Sequence, residues 1–258
     1  MSDRPTARGR VRIRFSKIGK VRWTSHRDVA RMWERAFRRV GLPLAYSEGF
    51  SPRPRVSFGL ALSTGHESVA EYLDVELSDL SDVDIPGLPA RLSDALPFGV
   101  DATAAEVLAP GTPSLQEDVV ACSWRWLGAT REGSEAIGPD QMDARIASVL
   151  AAPSVVVNRS RKGAQQAEDI RPGILDLQRL GPAGSGLSPG IWLQADLACQ
   201  PRSLRPADVV LALGADLEER DVRRMHQWIL REGARREPLM GAGPDVATDA
   251  PHALERAS

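Results

Sequence analysis

The spacing of apolar residues changes period once within the first 40 positions, and that change constrains the fold more than any other feature. Residues 10–15 read Arg-Val-Arg-Ile-Arg-Phe, with Val11, Ile13 and Phe15 on one side and Arg10, Arg12 and Arg14 on the other. This is the two-residue period of a half-buried strand. Beyond Ser25 the spacing becomes helical, with Val29, Met32, Trp33, Ala36, Phe37 and Val40 on one stripe. Ser25 and Asp28 supply an N-terminal cap, and Gly41 with Pro43 ends the run. A strand feeding an amphipathic helix opens a layered α+β arrangement.

The following positions complete the pattern. Residues 42–46 and 55–60 read as short strands on either side of a loop, 70–77 as a strand, 86–96 as a helix with Leu88, Leu92 and Leu96 at intervals of four, and 100–107 as a closing strand. The Pro- and Gly-rich stretch 109–114 is a linker. After it, strand 119–127, helix 140–150, strand 154–161, strand 191–199 and a helix beginning near Ser203 repeat the order. Residues 167–170 can pair back on the preceding strand, and 173–180 have no clear assignment. The element at 221–230 is open, because the order requires a strand while Val222, Met225 and Ile229 have helical spacing. The expected fold is therefore α+β: two tandem ferredoxin-like (β-α-β-β-α-β) units with antiparallel sheets, at residues 10–108 and 117–236, followed by a disordered tail at 237–258.

Charge divides the chain more sharply than its net value of -1 suggests. The first 60 residues hold 15 Lys and Arg against 4 Asp and Glu, leaving the remainder acidic by 12. Such polarity suits a basic surface offered to a polyanion, or two halves that neutralise each other across an interface. No apolar run approaches the length of a membrane span, and the first ten residues lack a signal-peptide core, so the expected location is the cytoplasm with no membrane partner. Cys122 and Cys199, the two cysteines, read as small buried side chains, with a disulfide disfavoured in a reducing compartment. The histidines are too scattered for a zinc set, and neither a phosphate loop nor a dinucleotide fingerprint is present, so no metal or cofactor is expected.

Residues 46–59, Tyr-Ser-Glu-Gly-Phe-Ser-Pro-Arg-Pro-Arg-Val-Ser-Phe-Gly, are too specialised for a connector. Prolines stiffen the backbone around Arg53 and Arg55, which suits presentation of guanidinium groups to phosphate or carboxylate. An internal ion pair from Glu48 to one of those arginines is the structural alternative. Phe50 can stack on a base, with Tyr46 or Phe58 as alternates, or anchor the loop in the core. The helix face carrying Arg27, Arg31, Arg35, Arg38 and Arg39 can be solvated or contact phosphate. His26, first in the helix, can act as a general acid or base in metal-independent RNA cleavage, or merely hydrogen-bond the backbone. The candidate set for RNA or partner binding comprises Arg12, Arg14, Lys17, Lys20, Arg22, His26, Arg27, Tyr46, Glu48, Phe50, Arg53, Arg55 and Ser57, together with Arg161, Lys162 and Arg171 in the second unit.

The runs Arg12-Ile-Arg-Phe-Ser-Lys17, Trp23-Thr-Ser-His-Arg-Asp28, Ala45-Tyr-Ser-Glu-Gly-Phe-Ser-Pro-Arg-Pro54 and Glu71-Tyr-Leu-Asp-Val-Glu76 resemble the radical-SAM-linked family of bacterial proteins. Weaker likeness continues at Arg161-Lys-Gly163, Asp169-Ile-Arg-Pro172 and Ser203-Leu-Arg-Pro206. The resemblance implies a domain fused to or encoded beside a radical-SAM protein, often near a ribonuclease of the E/G type, and hence a radical-SAM partner and RNA. This chain lacks the Cys-x-x-x-Cys-x-x-Cys run of the radical enzyme, which makes it an accessory. Two other readings stand beside an RNA-binding accessory: a module docking the radical-SAM protein without RNA, and a metal-independent endoribonuclease using His26.

Overall fold

The computed structural model describes residues 8–161, 164–182 and 190–239. In the first half, β1 (Gly9–Lys17) leads to α1 (His26–Arg39), β2 (Val56–Phe58), β3 (Glu67–Leu77), α2 (Leu88–Ala95) and β4 (Val100–Val107). The Ser25 hydroxyl accepts from the Asp28 N–H at 3.2 Å and donates to its carboxylate at 2.7 Å, so the expected cap starts α1. Gly41, at φ 71°, takes the left-handed conformation that ends it. Val29, Trp33, Ala36 and Phe37 of α1 pack with Val11, Ile13 and Phe15 of β1 and Leu73, Val75 and Leu77 of β3.

After α3 (Leu115–Asp118), the second half runs β5 (Val119–Thr130), α4 (Pro139–Ala151), β6 (Val156–Arg161), β7 (Ala164–Asp169), β8 (Ile174–Pro182), β9 (Ile191–Ala198), α5 (Pro206–Leu213), β10 (Leu217–Arg231) and β11 (Ala234–Arg236). The molecule is a mixed α+β fold with a mostly antiparallel sheet. In space the first half is ordered β4-β1-β3-β2 and the second β10-β5-β9-β8, with antiparallel neighbours throughout.

Two expectations need correction, and the two segments left open, 173–180 and 221–230, both prove to be strands. Residues 154–161 were expected to enter the second sheet, but among the described residues β6 pairs only with β7 in a separate two-stranded hairpin, and β8 takes the sheet edge. Register shifts at Ile174/Asp176 and Arg179/Gly181 break the alternation of β8, which removes the period that would have marked it as a strand. The open element at 221–230 is a strand, and its helical spacing has the same origin: β10 shifts register three times against β5, between Arg220 and Arg223, Arg224 and His226, and Trp228 and Ile229. Residues 42–46 make only isolated bridges, Leu44 to Leu77 and Tyr46 to Pro54.

The halves share one nine-stranded sheet through β3 and β10, which run parallel at Arg223–Glu67 and Arg224–Ser68. The short β2 covers β3 only at Leu73–Val75, leaving the start of β3 open to the incoming strand. Ala70 and Tyr72 of β3 belong to the second core, whereas Leu73, Val75 and Leu77 belong to the first. Both faces of β3 are therefore buried. The closest ion pairs at this seam place the acid on β3 and the arginine on β10: Glu67 with Arg223 at 2.6 Å and Glu71 with Arg224 at 2.8 Å. Packing also continues into the expected tail. Glu237 bonds the Tyr72 hydroxyl and Leu239 is buried, while residues 240–258 lie outside the described residues.

Candidate functional site

The arginines of β1 share one strand face, as their alternation requires, but that face is internal. Arg12 is 1% exposed and grips Asp74 across the β1–β3 ladder with two N–H groups, at 2.7 and 2.9 Å. It also donates to the Pro113 carbonyl at 3.3 Å, and Arg10 donates to that of Thr112. The linker is thus clamped against the sheet. Arg14 lies 3.9 Å from Glu237, and Arg22 lies 3.4 Å from Glu67. Lys17 is buried and donates to the carbonyls of Arg22 and Thr24, each at 3.2 Å. Burial pushes its pKa down, opposed by the nearby Glu71 carboxylate. Arg12, Arg14, Lys17 and Arg22 consequently leave the exposed basic face on which the sequence placed them, while Lys20 remains exposed.

The 46–55 loop forms a hairpin-like arm. Ser47 N–H donates to the Arg53 carbonyl at 2.9 Å, and Arg53 N–H to the Ser47 hydroxyl at 3.1 Å. Ala45 and Arg55 continue the pairing toward Glu76 of β3. Gly49, at φ 118°, lets the tip reverse where a side chain would be strained. Arg55 pairs with Glu76 at 3.3 Å, and among the described residues Glu48 makes no ion pair with Arg53 or Arg55. The alternative of an internal Glu48–arginine pair is thus not found among the described residues, and Arg55 pairs with β3 instead. Phe50 projects from the tip, fully exposed, and Tyr46 is half exposed at the base. Phe58 instead packs at the edge of the first core, in edge-on contact with His26 at 5.1 Å. Ser57 is exposed on β2.

Between this arm and α1 lies a cleft of about 470 Å³, lined by Arg27, Arg31, Arg38 and Arg53 with Tyr46 and Pro52, and Glu34 as its one acid. Arg31 sits 3.4 Å from Asp28. Arg27, Arg38 and Arg53 make no side-chain hydrogen bond or ion pair among the described residues. Four guanidinium groups beside an exposed aromatic ring can hold successive phosphates and stack a base. The first residue of α1, His26, points elsewhere, lining a small pocket with Lys17, Phe58, Glu71 and Tyr72.

The second-half candidates do not join this cleft. Arg171 donates to the carbonyls of Leu150, at 2.9 and 3.2 Å, and Ile174, at 3.0 Å, which fixes the turn before β8. Arg161 ends β6 on the separate hairpin, and Lys162 lies outside the described residues. Arg31 and Arg38 were missing from the candidate set although their helix face was noted; the signal was there in the unopposed arginines at helical spacing. A second constellation had no sequence signal: Cys122 and Cys199, 77 positions apart, place their sulfurs 3.4 Å from each other. Among the described residues no group of three His, Cys, Asp or Glu side chains could hold a metal ion, and no helix is long and apolar enough to cross a membrane.

Residues 10–206 match the family described as an uncharacterised protein conserved in bacteria, DUF2344. No curated protein matches the chain. Among solved structures, a chain of a Cbf5–Nop10–Gar1 complex aligns with 84% of this chain at 11% identity and a TM-score of 0.48. This chain spans about half of that one, 48%. An unknown protein from Galdieria sulphuraria aligns over 83% of this chain and 99% of its own length, at 13% identity and a TM-score of 0.26.

Proposed function

The chain belongs to the DUF2344 family, and we propose that this protein is an RNA-binding accessory of a radical-SAM protein, holding a single-stranded stretch of a tRNA or rRNA in the cleft between α1 and the 46–55 arm. The observation that carries the RNA reading is the concentration of Arg27, Arg31, Arg38 and Arg53 around one cleft lined also by the half-exposed Tyr46, with Phe50 fully exposed at the tip of the arm that carries Arg53. Single-stranded RNA offers both chemistries at once, a phosphate backbone for the guanidinium groups and unstacked bases for the ring. The radical-SAM partner is supported by the family resemblance of the 12–17, 23–28, 45–54 and 71–76 runs. Each half is read as a ferredoxin-like unit on the strength of its strand order, the second carrying the β6–β7 hairpin as an insertion.

Fluorescence anisotropy with labelled single-stranded RNA and tRNA tests the RNA reading. Affinity should fall steeply between about 50 and 200 mM salt, because each phosphate contact releases counterions. Phe50→Ala should weaken binding by about tenfold while leaving the salt slope intact, since a stacked base carries no counterion. Absence of binding at the lower salt would sink the RNA reading and favour the docking module, which co-purification with the radical-SAM protein after nuclease treatment would then test.

A further inference from the structure

Where the halves meet, a cavity of about 170 Å³ is walled by Leu60, Ala61, Ser63 and His66 from one side and by Cys122, Trp124, Cys199, Ser203 and Arg224 among others from the other. Cys122 on β5 and Cys199 just after β9 are diagonal neighbours on one sheet face, because Cys122 faces Leu197 in the ladder and Cys199 N–H bonds the Val120 carbonyl. We propose that Cys122 and Cys199 form a hydroperoxide-reactive dithiol, in which Cys199 is the attacking sulfur and Cys122 the resolving one.

Position assigns the two roles. Cys199 is partly exposed at the cavity and Cys122 is buried behind it. The Cys122 thiol hydrogen-bonds Cys199, which together with the Ser203 hydroxyl and the charge of Arg224 holds the Cys199 thiol below its usual range despite burial. That same hydrogen bond, with burial, pushes Cys122 well up. Arg224 is fully buried, pairs with Glu71 at 2.8 Å, lies over the Trp124 ring at 4.8 Å and leaves its Nε without a partner, so its guanidinium is held in the cavity wall it shares with the sulfurs. A cavity of this size admits a molecule near the dimensions of water, whose own share of liquid volume is about 30 Å³, more readily than a bulky disulfide.

The Cys199 thiolate attacks a peroxide oxygen. An S–O bond forms, the O–O bond breaks, and the departing oxygen leaves as hydroxide or alkoxide and takes up a proton. Cys199 is thereby oxidised by two electrons to the sulfenic acid and the hydroperoxide is reduced to water or an alcohol. Cys122 sulfur then attacks Cys199 sulfur, the S–S bond forms, the S–O bond breaks, and hydroxide leaves as water with the Cys122 proton. The sulfurs, now 3.4 Å apart, must close to about 2.05 Å, a movement of side chains already in contact.

The experiment treats the full chain with hydrogen peroxide in the presence of a chelator and follows free thiols and peptide masses. The expected result is a Cys122–Cys199 crosslinked peptide that dithiothreitol reverses. Cys122→Ser, with Cys122→Ala as a second variant, should stop at a Cys199 sulfenic acid trapped by a dimedone-type probe. Cys199→Ser should lower the rate of thiol loss by at least about tenfold, because the more acidic thiol is gone. The proposal is overturned if the wild-type chain keeps both thiols while free cysteine is consumed, or if Cys199→Ser reacts as fast as wild type.

Discussion

The arginines of β1 and those of α1 look alike in the sequence, both rows rich in arginine and poor in acids, yet they end in opposite environments. Arg12 is buried against Asp74 and the linker, whereas Arg27 and Arg38 face an open cleft without partners. The difference comes from what lies across the sheet. A helix has one core side and one solvent side, so its charged stripe stays outside. A strand in a sheet covered on both faces has no such outlet, and its charges survive only where a partner meets each of them. Charge in the sequence reports how many cations there are, and topology decides which are available to a ligand.

The most forceful way to break this comparison is Arg12→Ala. Removing one member of a buried pair leaves Asp74, 4% exposed, with only the longer 3.8 Å contact to Arg10, and the cost should be about 3 kcal/mol in urea unfolding. The linker would lose its clamp as well. Retention of full stability would mean that the β1 row is as free as the α1 row.

The converse experiment removes the cations of the cleft. The triple variant Arg27→Ala, Arg38→Ala and Arg53→Ala should leave unfolding unchanged, because none of these side chains has a partner to lose among the described residues. RNA affinity should fall and the salt slope should flatten by roughly two, at about 0.7 per phosphate contact on a single strand. A normal slope in this variant would move the interface away from α1.

Much of this division was legible before any coordinates. The period of β1, the Ser25 cap and the Val29–Trp33–Phe37 stripe each follow from local rules, and each is found where those rules place it. Local rules failed where the ladder slips. β8 and β10 shift register repeatedly, so their apolar residues lose strict alternation and their strand character was concealed. The exposed loop with Phe50 was also legible, because its Pro and Gly content restricts its own backbone. What could not be read were the pairings across long separations, such as Arg12 with Asp74, the linker on the arginine face, and Cys122 with Cys199. These depend on which strands lie side by side in the sheet, β1 on β3 and β5 on β9, and no local pattern records that.

The seam between the halves offers the smallest and most discriminating test, since Glu67 binds one arginine from each half. Gly19 N–H donates to its carboxylate at 2.7 Å, Arg223 reaches it at 2.6 Å and Arg22 at 3.4 Å. Burial alone would raise the Glu67 pKa, but those three donors outweigh it and hold the carboxyl below its ordinary range. A carboxyl depressed in the folded state contributes stability that is complete above its unfolded pKa and is lost as pH falls through the folded one. Glu67→Gln should therefore cost about 1 kcal/mol at neutral pH, a modest figure because Arg223 is 42% exposed and water screens the pair. In acid, below the folded-state pKa, the wild-type carboxyl is protonated too, and the two unfolding curves should converge. Urea titrations at the two pH values measure this directly. A pH-independent difference would assign the seam to backbone pairing and shape, and the Arg22–Glu67–Arg223 cluster would then resemble the free arginines of α1 more than the buried pair at Arg12.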